Sequence, residues 1–528
     1  MTLFLDSNAN PLGSMPALGG SLILALALAC GGRQVPPLQV DLAPPANAMP
    51  APGDRVVFQV STHDGGSPSF QWFKDDQPIA GANSSSLVVF PVAPGDAGSY
   101  QVQVADGNTS LETPPFDLEP VDQAWVVTSA ADSGPGTLRD VLAMANAAPG
   151  LNGIQFNLSG AGEGPYRITL GSGLPPVTGR ICILGPFGSP LTVDGGGACR
   201  PLFLDGGTLV LDNFTLAHGL GKGGDGLGGG GGAAGMGGAI FMNAGSLDLR
   251  RMAFQGNQAL GGSSHPGGDG ENGGGGGFGG DSPAVGGQGG DGGPLGGTGG
   301  LADLDGSHDG GAPALGGSGG GGGGAARGGP LDAVPAGWLE GVNGGEGGFG
   351  GGGGFSVGLL GIGGASRFGG GGGGSGGGFL GTVLPGGGGG ESGVFGGDGG
   401  VGDGVLPGRG GGGAGMGGAL FVRGGTLAMS HCQFIDNHAL PGDGDQTGGP
   451  LQALAEGKGG AVFVYAHDDD NAPAAFLKEL QAQSFSLNTA ADLVEGSVLD
   501  NNDYYIASLL LPDTRRGRPL VRRVLVSK

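Results

Sequence analysis

Short runs of alternating apolar and polar residues recur along the chain, separated by Gly, Pro, Asp and Asn. Four of these runs, at 56–60, 69–73, 86–90 and 100–104, lie within the first 120 residues. Alternation over four to eight residues between turn-forming residues predicts half-buried β-strands. We therefore predict an all-β protein whose first folded part, 51–120, is a sandwich of two sheets.

The pattern changes after residue 120. A run at 125–128 is followed by Gly-Thr-Leu-Arg at 136–139, an Ala-rich amphipathic stretch to Ala148, and a second run at 154–157. This order predicts a strand, a short helix and another strand. Brief strands at close intervals are predicted from there to Leu211.

One segment of the chain is repeated. Gly-Met-Gly-Gly-Ala-Ile-Phe at 235–241 recurs as Gly-Met-Gly-Gly-Ala-Leu-Phe at 415–421, and a looser third copy begins at 459. The same Phe, Asn and Ala follow each copy, with an offset of 180 residues between the first two: Phe254, Asn257 and Ala259; Phe434, Asn437 and Ala439; Phe485, Asn488 and Ala490. None of these copies can bury its apolar face alone, so we predict that they stack as coils of a solenoid.

A glycine-rich insert, 261–414, separates the two best copies and holds much of the chain's 135 glycines. Part of it, 286–294, has a three-residue period. Two structures are compatible with this composition: a flexible excursion, or packed threefold extended helices that hydrogen-bond through bare backbones. Apolar residues that could anchor a packed insert are spread along it: Phe278, Phe349, Phe355, Phe368, Phe379, Leu359 and Leu360.

The ends of the chain indicate export. Residues 1–30 contain a short apolar run that reads as an export signal, and the segment ending in Cys30 resembles a lipoprotein processing box, which makes Cys30 a candidate for lipidation. Residues 31–50 are rich in Pro and Ala, as in a linker, and 509–528 form a basic tail. A formal net charge of -24 argues against nucleic-acid binding.

Candidate chemistry is sparse, and we predict no catalytic site, cofactor or metal. Cys182 and Cys199 are close enough in sequence for a disulfide in an oxidising compartment, although two unpaired thiols are an equal alternative. Residues 467–471 could bind a cation, but three adjacent carboxylates are more typical of a solvated loop. Candidate acid–base groups for an enzyme are Asp194, Asp212, Asp248, Asp436 and His431, which we interpret instead as turn or solvent-facing residues.

Two family resemblances complete the prediction. Trp72 and the Asp-x-Gly-x-Tyr corner ending at Tyr100 resemble an immunoglobulin-like domain, with Val60 and Val102 where many such domains have cysteines. The Gly-Thr-Leu-Arg segment and the repeats resemble bacterial parallel β-helix surface proteins, including polymorphic outer-membrane proteins. That resemblance implies a right-handed parallel β-helix, over 121–260 and 415–508, with stacked Phe and hydrogen-bonded Asn.

The second resemblance also implies a function. We expect an exported structural or adhesive protein, extracellular or at the cell surface, with an outer-membrane lipid anchor and a polysaccharide or protein as its surface ligand. One alternative is a polysaccharide lyase or hydrolase, since β-helices host carboxylates on grooves. Another is a spacer that displays the glycine-rich insert.

Overall fold

Strands dominate the computed structural model, which has one α-helix, Leu138–Ala147, among the residues it describes. These residues fall into two compact units, one within Met1–Ala48 and Asp54–Glu119 and the other within Met49–Gly53 and Pro120–Lys528. The structure describes residues 39–43, 50, 55–63, 68–90, 92–106, 109–118, 120–158, 164–186, 189–265, 274–277, 281, 289–291, 344–354, 356, 362–366, 368, 370–373, 392, 395–400, 409–444, 454–465, 475–481, 483–491 and 502–507.

The first unit consists of two antiparallel sheets. One has the strand order β1-β2-β5 and the other β4-β3-β6-β7, with β8 also paired to β6. Its strands are β1 Gln39–Ala43, β2 Val56–His63, β3 Ser69–Lys74, β4 Gln77–Pro78, β5 Ser86–Val89, β6 Gly98–Asp106, β7 Thr109–Glu112 and β8 Phe116–Leu118. The strand β1 lies in the segment predicted as a linker, where its backbone completes one edge of the first sheet.

The core of the first unit follows from the alternation in its strands. Phe58, Trp72 and Val102 are fully buried, whereas Gln59, beside Phe58, is exposed. Tyr100 packs its ring 4.9 Å from that of Phe58 and donates its hydroxyl to the backbone oxygen of Asp96 at 2.9 Å. That bond ties β6 to the short 3-10 helix Pro94–Asp96, so the Asp-x-Gly-x-Tyr pattern forms a side-chain-to-backbone corner.

The second unit is built from parallel sheets that the chain revisits in the same order. Each return adds one strand beside the previous one, giving sheets of ten, six, four and three strands. The strands are β9 Gln123–Val127, β10 Leu151–Phe156, β11 Tyr166–Thr169, β12 Arg180–Leu184, β13 Leu191–Asp194, β14 Leu202–Asp212, β15 Thr215–Ala217, β16 Leu220–Lys222, β17 Gly235–Met236, β18 Ile240–Arg250, β19 Ala253–Gln255, β20 Gln258–Leu260, β21 Gly415–Met416, β22 Leu420–Val422, β23 Gly425–Ser430, β24 Gln433–Ile435, β25 His438–Leu440, β26 Gly457–Lys458, β27 Val462–Tyr465, β28 Ala475–Gln481, β29 Ser484–Ser486, β30 Thr489–Ala490 and β31 Tyr504–Ala507.

The helix α1, Leu138–Ala147, lies between the first two strands of the ten-stranded sheet. It begins at Thr137, whose hydroxyl accepts the backbone N–H of Asp140, while the Asp140 carboxylate accepts the N–H of Gly136 at 2.9 Å. This reciprocal pair satisfies donors that a helix start leaves unpaired. The helix buries Leu138 and Leu142 against the first strands.

The predicted stacking of the two best copies of the repeat is confirmed, because their strands are neighbours in the same sheets. Ile240 pairs with Leu420, Phe254 with Phe434, and Gln258 with His438, so the register does not slip across the insert. A shift of one residue would turn every buried side chain of a strand outward. The repeated apolar positions therefore fix the pairing although 154 residues of insert, 261–414, separate its two sides.

Identical side chains stack along the axis of these turns. Phe254, Phe434 and Phe485 lie 4.7 and 5.0 Å apart in the interior. Beside them, the Asn257 side-chain amide donates to Asn437 Oδ1 at 2.9 Å, and Asn437 donates to Asn488 Oδ1 at the same distance. The expected stacked Phe and hydrogen-bonded Asn are thus both present.

Replacing Asn437 with Ala should lower the free energy of unfolding by at least about 2 kcal/mol. The change leaves the buried Asn257 side chain and backbone N–H without their acceptor, and each orphaned buried group costs about 1–3 kcal/mol. Chemical denaturation measures the difference. The exposed Gln433→Ala variant of the same turn is the control; an equal loss in both variants would contradict the role of the Asn stack.

Candidate functional site

The six-stranded sheet carries an open, polar surface. Its middle residues point inward, so the residues before and after them point outward. We call this surface the polar ladder face. One outward row comprises Arg167, Thr192, Thr215, Ala253, Gln433 and Ser484, and the other comprises Thr169, Asp194, Ala217, Gln255, Ile435 and Ser486.

Single residues in the left-handed conformation bound the polar ladder face on both sides. Arg251 and His431, with φ of 48° and 53°, precede the short strands of their turns. His218 and Asp436, with φ of 46° and 57°, follow the short strands of theirs. A residue with φ in this range bends the chain sharply and costs a non-glycine residue about 1 kcal/mol or more, so stacked neighbours must hold each bend.

The most connected polar group on this face is Asp194, whose side chain is 8% exposed. Its carboxylate accepts the backbone N–H of Gly196 at 2.8 Å and pairs with a guanidinium nitrogen of Arg167. His218 places Nδ1 3.1 Å from the same carboxylate. Arg167 and His218 are both half-exposed, so the buried carboxylate orients two basic groups toward solvent.

The contacts of Asp194 explain its acidity. Burial alone would raise the pKa of its carboxyl, but the Gly196 N–H, the His218 hydrogen bond and charge, and Arg167 together hold the pKa below its ordinary value of 3.8. The residue therefore stays ionised at neutral pH. A carboxylate on Nδ1 also favours the imidazole form whose Nε2 carries the lone pair, the arrangement of a general base.

The other candidate carboxylates each contact a basic side chain. Asp212 pairs with Arg251, Asp248 lies 2.6 Å from Arg250, and Asp436 lies 3.3 Å from His438. His431, the fifth candidate, is exposed at its bend. The sequence prediction named Asp194 but missed Arg167 and His218, although alignment of the repeats would have placed His218 at the position of Gly256 and Asp436.

A disulfide and two separate thiols were equal alternatives for Cys182 and Cys199, and no bond joins the two residues in the structure. Cys182 lies between Ile181 and Ile183, whose side chains line the core, and so points to the opposite face of its strand. Cys199 packs against that core, with its thiol 3.6 Å from the Gly195 oxygen. Cys30, residues 467–471 and the basic tail lie outside the described residues.

The described glycine-rich segments pack directly against one another. Gly231, Gly232 and Ala233 donate their N–H groups to three separate segments, and their oxygens accept from three more. The six partners are Gly353, Gly411, Gly224, Gly276, Gly371 and Gly262, at 2.7–3.0 Å. We call this arrangement the glycine bundle.

A three-residue period runs through the glycine bundle. Gly231 and Ala234 donate to Gly353 and Gly350 of one segment. Gly232 and Gly235 donate in the same way to Gly411 and Ala414 of another. This threefold repetition matches the packed alternative for the insert. Such spacing leaves no room for a side chain at Gly232, since a Cβ there would overlap the carbonyl oxygen of Gly262.

Aromatic residues of the insert attach the glycine bundle to the ten-stranded sheet, which we call the long sheet. The outer face of that sheet carries a stack of rings about 5 Å apart: Phe203, Phe241, Phe421, Phe463 and Tyr505. Phe368 lies against Phe463, and Phe395 lies 5.2 Å from Tyr505. Arg423 sets its guanidinium 4.2 Å from the Phe349 ring, a contact typical of a cation–π interaction. The expected anchors Phe278, Phe355, Phe379, Leu359 and Leu360 lie outside the described residues.

None of the helices among the described residues is long and apolar enough to cross a membrane. In the same part of the chain, no three His, Cys, Asp or Glu side chains converge as they would around a metal ion.

No family model and no curated protein matches the chain. Murine CEACAM1b matches 16% of this chain and 44% of its own at 23% identity, with a TM-score of 0.14. The three N-terminal domains of the bacteriophage RB49 highly immunogenic outer capsid protein match 17% and 33% at 25% identity, with a TM-score of 0.14. The titin I-band fragment I67–I69 matches 19% and 40% at 19% identity, with a TM-score of 0.15. The chain thus spans less than half the length of each of these solved chains.

Replacing Gly232 with Ala should destabilise the second unit by about 3 kcal/mol or more, because overpacking that cannot relax forces the backbone segments apart. Thermal unfolding and protease digestion of the insert measure the effect. Gly171→Ala is the control, because Gly171 is exposed and a Cβ there meets only the carboxylate end of Asp132 at 3.3 Å. Unchanged stability of Gly232→Ala would contradict the packed bundle.

The contribution of Asp194 to the free energy of unfolding should decrease at acid pH. Its depressed folded pKa means that the carboxylate contributes stability fully above about pH 3.8 and loses it as pH falls through the lower folded value. The difference in unfolding free energy between the native chain and Asp194→Asn should therefore shrink between about pH 5 and pH 2. Denaturation at several pH values tests this, with the exposed Asp436→Asn as comparison; a constant difference would refute it.

Proposed function

We propose that the protein is an exported structural or adhesive protein of the cell surface. In this proposal the second unit is a right-handed parallel β-helix, and the first unit is an immunoglobulin-like domain. The parallel sheets revisited in constant order, the stacked Phe and Asn, and the side-chain corner at Tyr100 support these assignments.

One observation carries the adhesive part of the proposal: the two outer surfaces of the second unit differ. The glycine bundle covers the aromatic stack on the long sheet, while the polar ladder face exposes small polar side chains on six stacked strands. Strands about 4.8 Å apart make that face roughly 24 Å long. A long face whose exposed side chains are polar, with Ile435 only partly exposed, suits repeated polar contacts with a polymer or another protein.

The proposal predicts that bulky side chains on this face abolish attachment. Gln255→Trp combined with Gln433→Trp should obstruct both outward rows without touching the core, because both residues are exposed. Attachment of beads coated with the purified chain to cells and to extracellular matrix measures binding. Thr178→Trp, exposed on another part of the same unit, is the matched control.

Loss of attachment in the double variant alone would support the proposal. Equal attachment by all three proteins, or none by the native chain, would overturn its adhesive part. Surface biotinylation of intact cells, with mass spectrometry of the mature N-terminus, tests export and lipidation of Cys30. Recovery of unlabelled protein from inside the cells would contradict a surface location.

A second candidate function is cleavage of a polysaccharide. The Asp194–His218 pair favours it, because a half-exposed imidazole oriented by a buried carboxylate can accept a proton. Release of reducing ends or unsaturated sugars from polysaccharides, lost on His218→Gln, would establish this activity.

A further inference from the structure

The two sides of the polar ladder face differ in charge. Arg167 stands in one outward row, and Arg251 and His431 occupy the bends next to that row. His218 and Asp436 occupy bends beside the other row, where Asp436 faces His438 at 3.3 Å. Both arginines of the face, Arg167 and Arg251, thus lie along one margin, in a chain whose formal net charge is -24.

Local charge decides what such a margin can bind. Charges more than a screening length apart, about 8 Å at physiological ionic strength, scarcely influence each other when exposed. The acidic remainder of the molecule therefore does not cancel the margin, and the immediate neighbours matter more. Asp194 and Asp212 are nearly buried, so they fix Arg167 and Arg251 in place while leaving part of each guanidinium exposed.

Spacing along the margin favours an extended partner. Arg167 and Arg251 belong to turns three strands apart, which corresponds to roughly 14 Å. Thr192 and Thr215 lie between them on the outward row, and their hydroxyls can donate to and accept from sugar hydroxyls. Exposed guanidinium groups suit carboxylates, which they bind through paired hydrogen bonds.

We propose that this margin binds an acidic polysaccharide, a sugar polymer with repeated carboxylate groups, lying along the row from Arg167 toward His431. The inference rests on the proposed adhesive function and names its ligand class. Arg167 makes the first carboxylate contact, the threonines contact neutral hydroxyls, and Arg251 and His431 contact a later carboxylate.

Binding of the full purified chain to immobilised polygalacturonate, dextran sulfate and neutral dextran tests the proposal. We expect salt-sensitive binding to polygalacturonate and little to dextran. Arg167→Gln should weaken that binding at least about fivefold, since a charge-assisted hydrogen bond is lost. Arg180→Gln, which removes an exposed arginine at the start of β12, should leave it unchanged.

Arg167→Lys keeps the charge but not the paired hydrogen-bond geometry, so it should bind polygalacturonate with intermediate strength. Thermal unfolding verifies that each variant is folded.

Binding to dextran sulfate alone, or equal losses in Arg167→Gln and Arg180→Gln, would overturn the proposal. If polygalacturonate does not bind while the tryptophan variants still abolish cell attachment, the adhesive function stands and this ligand assignment fails.

Discussion

Hydrogen bonding between backbone segments that are distant in sequence is the constraint on which the second unit depends. In the parallel sheets, each turn satisfies the N–H and C=O groups of the turn before it, as Ile240 and Leu420 do across 180 residues. In the glycine bundle, the same requirement is met among segments composed mostly of glycine. Buried peptide groups must be paired, so neither part is complete without its neighbours.

The glycine bundle and the sheets support each other through shared chain. Segment 223–234 connects β16 to β17 and also supplies the centre of the bundle, with Gly232 bonded to Gly411 and Gly371. Fixing so many glycines is costly in backbone entropy. Close packing and the hydrogen bonds between the described segments offset that cost, and the aromatic contacts of Phe349 and Phe368 add buried apolar area.

The two outer surfaces of the second unit therefore have different properties. The long sheet presents an aromatic stack that would be a liability in water, and the glycine bundle covers it. The short strands present mostly small or polar side chains, and both arginines of that face lie along one margin. The proposed attachment surface lies on the six-stranded sheet, whereas the described aromatic residues of the insert pack on the ten-stranded sheet.

The sequence by itself determined the local patterns: the strand alternation, the short helix after Gly-Thr-Leu-Arg, the 180-residue offset, and the recurrence of Phe and Asn in each copy. Each of these patterns depends on residues within a single turn or on exact repetition, so it can be recognised from the sequence alone. The sequence left the insert open between a flexible and a packed state, because that choice depends on contacts among remote glycines.

Only the tertiary structure decided which polar residues meet. Arg167, Asp194 and His218 belong to three successive turns and come together through strand register, which no local spacing reports. It also separated Cys182 from Cys199, because alternate residues of a strand face opposite sides of the sheet. Side-chain direction depends on the neighbours on which a strand packs, and those neighbours are distant in the chain.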